Sequence, residues 1–226
     1  MDAPKTLEAD GLPRRLDEVA PAGGGLVARI ARTARFIKRN RLYKLRYVMM
    51  ALRFVWFKIR NPHILTDGFF FLERGAEVYA RKGYGRLRIG RWVWVGTGNA
   101  LRCHEGNLTI GDKCVFGRKN TINAYMDVTI GADCIFADWI YITDFDHKFD
   151  DLSMPIRKQG IVKSPVKIGE DCWFGEKTTV LRGVTVGRGC VIASHALVNR
   201  DLPPLSVAGG VPARVLKSRA HGQKKA

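Results

Sequence analysis

The chain's 226 residues include 38 Lys and Arg against 21 Asp and Glu, a formal charge of +17, with 46% hydrophobic and 26% charged residues. This is the composition of one soluble folded domain with appendages, and the charge predicts attraction to a polyanion: nucleic acid, anionic lipid or a phosphorylated ligand. The opening MDAPKTLEAD has early acids and no apolar run of signal-peptide length, and no later stretch approaches the roughly 18 apolar residues of a membrane span. A cytoplasmic protein is expected, with room for peripheral contact at the inner face of the membrane. Five cysteines without a C-x-x-C pair argue against a disulfide framework and against a zinc site.

Residues 1–25 carry Pro4, Pro13 and Pro21 and end in Gly23-Gly24-Gly25, which predicts a flexible leader with too little apolar surface to offset its ordering entropy. From Leu26 to Arg60 there is no acid, and eleven cations alternate with Ile30, Ile37, Leu45, Val48, Met49, Leu52, Val55, Trp56 and Ile59 at spacings of three and four. That pattern predicts a basic amphipathic helical region over 26–62, interrupted near Asn40 and ended by Asn61-Pro62. Two roles suit it. It packs across the open end of the following fold and covers an exposed sheet edge, or its stretch up to Tyr47 lies on an anionic membrane surface.

From about residue 70 the texture changes to β-branched and aromatic triplets punctuated by glycine, with a period of six. Apolar anchors fall at Ile89, Val95, Leu101; Ile110, Phe116, Ile122; Ile130, Phe136, Ile142; Ile168, Phe174, Val180; and Val186, Ile192, Val198. Each trio makes one coil with three faces. The residue after an anchor is glycine eight times and alanine twice, which predicts tight corners with unusual φ. A coil takes 18 residues; three extra follow the first coil, two the second and twenty the third. The third excursion, about Thr143 to Pro165, is where chemistry is expected, because long loops on a rigid scaffold carry function. Cys114, Cys134, Cys172 and Cys190 share one column of successive coils, a core ladder whose spacing misses disulfide geometry. The repeat domain spans 70–218, and 219–226 is a polar tail.

The repeat, the excursion Ile142-Thr143-Asp144-Phe145-Asp146-His147, the stretch Ile168-Gly169-Glu170-Asp171-Cys172-Trp173-Phe174-Gly175 and the ending Val207 to Lys217 together resemble the hexapeptide-repeat acyltransferases. In motif the chain is most similar to galactoside and maltose acetyltransferases and to O-acetyltransferases of bacterial polysaccharide pathways. The resemblance implies a mainly β fold, a left-handed parallel β-helix, behind the N-terminal helical region. It implies acetyl-CoA as co-substrate, no metal, a sugar or glycoconjugate acceptor, and a homotrimer with each site between two subunits. By motif position His147 is the general base, and imidazole, with an ordinary pKa of about 6.5, suits removal of an alcohol proton. Asp144 and Asp146 are candidates to orient it. Trp173 and Gly175 are expected beside the pantetheine arm, Ser194 and Asn199 in the last coil, and Arg214 and Lys217 near the phosphates. Where relatives carry an asparagine on the third face of the second coil this sequence has Arg118, with Asn120 and Asn123 nearby, which are the acceptor-binding candidates.

Other readings compete. A γ-class carbonic anhydrase uses the same solenoid, but the chain lacks paired histidines near one coil edge. Nucleic-acid binding suits the charge, although a helix with an apolar stripe is a poor electrostatic groove. A scaffold without catalysis would not need His147 and the intact ending. N-acetylation of an amino sugar and O-acetylation of an antibiotic share the same geometry.

Overall fold

The computed structural model describes Arg35, Lys38 and residues 44–222, so the expected leader over 1–25 and the interruption near Asn40 lie outside the described residues. The chain forms two compact units, Met1–Met50 and Ala51–Ala226. Helix α1, Leu45–Arg60, ends where the sequence places the proline break.

Beyond it the chain winds through three sheets of six, eight and six strands, parallel throughout except for the last strand of the eight, Ala213–Ser218, which pairs antiparallel. One coil illustrates the rest. Strand Gly106–Ile110 lies on the first face, Val115–Phe116 on the second and Thr121–Ala124 on the third. A partial coil, Leu65–Thr66, Phe71–Leu72 and Glu77–Ala80, precedes the first predicted one. The strands pair in register, so Ile89, Ile110, Ile130, Ile168 and Val186 stack in one column. All fifteen anchors are at most 3% exposed. Strand spacing of about 4.8 Å is also a comfortable ring-stacking distance. Phe116, Phe136 and Phe174 accordingly stack face to face with centroids 4.6 and 4.9 Å apart. The architecture is the parallel β-helix that the six-residue period predicts.

The corner glycines do a different job from the one expected. Gly90, Gly111, Gly131, Gly169 and Gly187 do not have positive φ; the left-handed residues at that edge stand two places later, at Trp92, Lys113, Asp133, Asp171 and Gly189. Glycine is needed for close approach instead. A Cβ on Gly131 would lie 2.5 Å from the backbone nitrogen of Glu170, and one on Gly111 2.5 Å from that of Ala132 in the next coil. Successive coils therefore touch backbone to backbone at this edge.

The cysteine column is the core ladder expected. All five thiols are free and buried. Cys114, Cys134, Cys172 and Cys190 donate to carbonyls of the following coil, those of Gly131, Gly169, Gly187 and Pro203. Thiol-to-thiol hydrogen bonding, chiefly with Cys114, pushes Cys134 up to about 12. Cys134 is a packing group held in the thiol form, far from the reactive thiolate range.

Helix α1 meets the first turns through Phe54 and Phe57. Phe57 packs edge-on against Phe70 at 5.5 Å, and Phe54 lies 5.0 Å from Phe69. The stripe read from the sequence is not the packing face. Leu52, Val55, Trp56 and Ile59 are all more than half exposed.

Gly131→Ala should cost about 2–3 kcal/mol and lower the melting temperature by roughly 5–10 °C, because the atom it meets is backbone and cannot swing aside. Thermal unfolding followed by circular dichroism checks this. An unchanged midpoint would mean that the edges are not in hard contact.

Candidate active site

The excursion after the third coil is an antiparallel hairpin. Strand Phe145–His147 pairs with Ile161–Lys163, setting Phe145 opposite Lys163 and His147 opposite Ile161. Its tip is braced by Gln159, whose Nε2 donates to the carbonyls of Asp151 and Met154.

Three polar contacts tie the hairpin to the solenoid. Asp144 is fully buried, and its carboxylate accepts the backbone N–H groups of Tyr125, Met126 and Asp127 at 2.7–2.8 Å. Three donors converging on one buried carboxylate are worth far more than a surface ion pair, since each is charge-assisted and screened from water. Asp146 receives Nε of Arg182 at 2.7 Å. Lys163 pairs with Glu105 and stands 5.8 Å from the Tyr125 ring, and its hydrogen bond holds the Glu105 carboxyl below the usual range. Both ion pairs are partly exposed, so solvent screens them and they add little to stability. Asp144 is the anchor that matters.

His147 emerges exposed from this tethered strand, and among the described residues neither ring nitrogen has a hydrogen-bond partner. Neither Asp144 nor Asp146 hydrogen-bonds it in this chain. Alternation along a strand sends Asp146 to the side opposite His147, where Arg182 takes it, and Asp144 is committed to backbone donors beneath. On the imidazole's own side is Phe145, edge-on at 6.2 Å.

From Phe145 a column of rings descends along the solenoid: Tyr125 at 4.3 Å, then His104 stacked on Tyr125 at 4.7 Å, then Tyr79 at 5.8 Å from His104. Sequence reasoning passed over this column because Tyr125 and His104 fall in the short insertions after the second and first coils. The signal was coil equivalence: both follow the third-face strand of their coil, as Phe145 does one coil on.

The acceptor-binding candidates divide. Asn120 is buried inside the coil; its backbone N–H donates to Oδ1 of Asn99 and its own Oδ1 accepts the N–H of Ile140, so it is a rung of an internal asparagine ladder and not a substrate group. Arg118 is exposed at the edge between the second and third faces, where its N–H donates to Asp138. Asn123, half-buried on the third face, pairs in register with Thr143 at the root of the hairpin and is the candidate on the His147 edge.

The cofactor candidates also divide. Trp173, 52% exposed, lies on the second face in line with Val191, Val207 and Lys217 across three strand pairs. Gly175 opens the edge that follows, and a Cβ there would meet the nitrogen of Ser194 at 2.5 Å. Arg214 is exposed in the terminal hairpin opposite Gly209. These five thus share one side of the prism. Asn199 follows the last third-face strand and stands on the edge of His147 instead.

The fold and this site define a class, the hexapeptide-repeat solenoids. Residues 165–200 match the family described as bacterial transferase hexapeptide (six repeats). The chain is 50% identical over 185 residues to the Mycobacterium tuberculosis protein named Probable acetyltransferase Rv3034c, covering 82% of this chain and 62% of that one. It is 33% identical over 115 residues to the galactoside O-acetyltransferase of Escherichia coli (strain K12), covering 50% of this chain and 55% of the other. The chain thus spans between half and two thirds of the length of these relatives. A galactoside acetyltransferase solved in complex with coenzyme A superposes with a TM-score of 0.53 at 30% identity, over 57% of this chain and 64% of that one. The chain thus carries a hexapeptide transferase repeat over 165–200 and is similar, over part of their length, to proteins named acetyltransferase.

If Asp144 anchors the hairpin, Asp144→Asn sets an amide N–H against backbone donors and should cost about 3 kcal/mol, roughly 6–12 °C of melting temperature. Full retention of the midpoint alongside lost activity would instead return Asp144 to the orienting role.

Proposed function

We propose that this chain transfers an acetyl group from acetyl-CoA to a hydroxyl of a sugar or glycoconjugate, with His147 as general base. The observation that carries the reading is the state of the imidazole: exposed, with no hydrogen-bond partner among the described residues, on a strand tied down by a buried carboxylate. A group so placed is held in position and still has a nitrogen to offer. Neutral imidazole takes the hydroxyl proton as the acceptor oxygen attacks the thioester carbonyl. The new C–O bond forms, the C–S bond breaks, and the imidazolium returns its proton to the departing thiolate.

The neighbouring residues suit this chemistry. Trp173 offers an apolar surface for a pantetheine arm, and exposed Arg214 and Lys217 supply the charge that adenosine phosphates require. The names of the relatives, an acetyltransferase and a galactoside O-acetyltransferase, support the acyl group and the acceptor class. The edges of Tyr125 and Phe145 give a sugar's C–H surface an apolar contact beside the base.

Within one chain the base lies on a different edge of the prism from the cofactor residues other than Asn199. We therefore place the site between two copies in a homotrimer, His147 from one subunit meeting Trp173, Arg214 and Lys217 of the next. The hairpin tip exposes Phe149, Leu152 and Ile156, apolar side chains that a neighbouring copy would cover.

His147→Ala should lower turnover by about 10²-fold or more with the melting curve unchanged, assayed as coenzyme A release with a saccharide acceptor. Wild-type turnover in the variant would end the assignment. Charge reversal at Arg214 and Lys217 together should raise KM for acetyl-CoA more than it lowers kcat, because phosphate contacts bind ground and transition states alike. Co-refolding that double variant with His147→Ala should rebuild about a quarter of the sites if base and cofactor residues come from different subunits of a cyclic trimer. No recovery in mixed trimers would put both halves in one chain.

A further inference from the structure

Helix α1 turns its apolar stripe outward. Leu52 is 59% exposed, Val55 54%, Trp56 59% and Ile59 66%, and Leu45, Val48 and Met49 one to two turns earlier are exposed as well. At 3.6 residues per turn these seven side chains fill one sector of the helix about 120° wide. The opposite sector holds Phe54 and Phe57, the residues that pack on the first coil. Between the two sectors lie the cations: Arg46, Arg53 and Arg60 along one flank, Lys44 and Lys58 along the other. No acid occurs from Leu26 to Arg60.

We propose that this face of α1 docks on an anionic lipid surface. The stripe is continuous, large and uncovered, which singly scattered surface apolar residues are not. Flanking cations on both sides put positive charge at headgroup level when the stripe enters the acyl boundary, and Trp56, with Arg60 5.3 Å from its ring, suits the interfacial layer. The helix lies on the bilayer and does not cross it: its 16 residues span about 24 Å against a hydrocarbon core of about 30 Å. Charge complementarity selects the occupant. Nucleic acid would use the cations and leave the stripe in water, whereas an anionic bilayer satisfies both. The surface is independent of the acetyl-transfer chemistry, and His147 takes no part in it.

The test is co-sedimentation of the full chain with vesicles of phosphatidylcholine alone and of phosphatidylcholine with phosphatidylglycerol. Binding is expected only with phosphatidylglycerol, weakening as salt rises. The double variant Leu52→Glu, Ile59→Glu removes apolar contact from exposed positions and should bind at least about tenfold more weakly with an unchanged melting curve. Arg53→Glu with Arg60→Glu should do the same at low salt. Failure to bind anionic vesicles at low salt overturns the proposal, as does binding that ignores the stripe substitutions. Dissociation of the oligomer by Leu52→Glu, Ile59→Glu would make the stripe a contact between copies, and salt-sensitive binding to duplex DNA in place of vesicles would make the helix a nucleic-acid surface; either result overturns it.

Discussion

Everything in this molecule depends on coils meeting backbone to backbone at the edge between the first and second faces. A Cβ at any of the five glycines there would come within 2.6 Å of the next coil, so the sequence keeps glycine and the strands stay in register. Register in turn makes columns. Because each position repeats about 4.8 Å along the axis, one residue type recurring every coil becomes a continuous feature: stacked phenylalanines, a thiol ladder, an asparagine ladder. The same rule builds the outside. His104, Tyr125 and Phe145 each follow a third-face strand and so continue one column of rings, which Tyr79, inside the strand Glu77–Ala80, begins.

The excursion breaks that periodicity and would be loose without compensation. Its compensation is concentrated rather than spread out. Asp144 stands where the next corner would begin, buries its charge and satisfies three N–H groups left open by the preceding corner. An uncompensated buried carboxylate would be prohibitive, but three short donors at once make the site self-consistent. The ion pairs of Asp146 and Lys163 then fix the direction of the hairpin at little energetic weight. The result separates two needs that one acid could not meet together: a rigid strand, and an imidazole left exposed.

Much of the fold was legible because hexapeptide periodicity is dense and one-dimensional. Fifteen anchors were placed from spacing alone, and all are buried. The purpose of the corner glycines was not legible, since backbone proximity between residues twenty positions apart leaves the same mark as a demand for positive φ. At the candidate site, His147 was proposed through its motif. The hydrogen-bond partners of Asp144, Asp146 and Asn120 were not legible for one physical reason: sequence gives the residue type at a position but not which way an irregular backbone turns it. An aspartate next to a histidine looks like a partner until strand alternation sends it to the opposite side. Arg182, which takes Asp146, lies 36 residues away with no local signal at all.

The helix makes the complementary point about periodicity. A 3.6-residue stripe establishes that one face differs from the other, and it does not say which face meets the protein. In α1 Phe54 and Phe57, both off the stripe, find ring partners at 5.0–5.5 Å in Phe69 and Phe70, and edge-to-face ring contacts add to area burial. Two phenylalanines thus orient the helix against the solenoid, and the more extensive aliphatic stripe is left facing out. That choice is stable only if the stripe has somewhere else to go, because seven exposed apolar side chains on sixteen residues would otherwise be a standing liability for aggregation. The cations along both flanks are consistent with that need: they oppose self-association in water by charge repulsion and favour a partner that is itself negative.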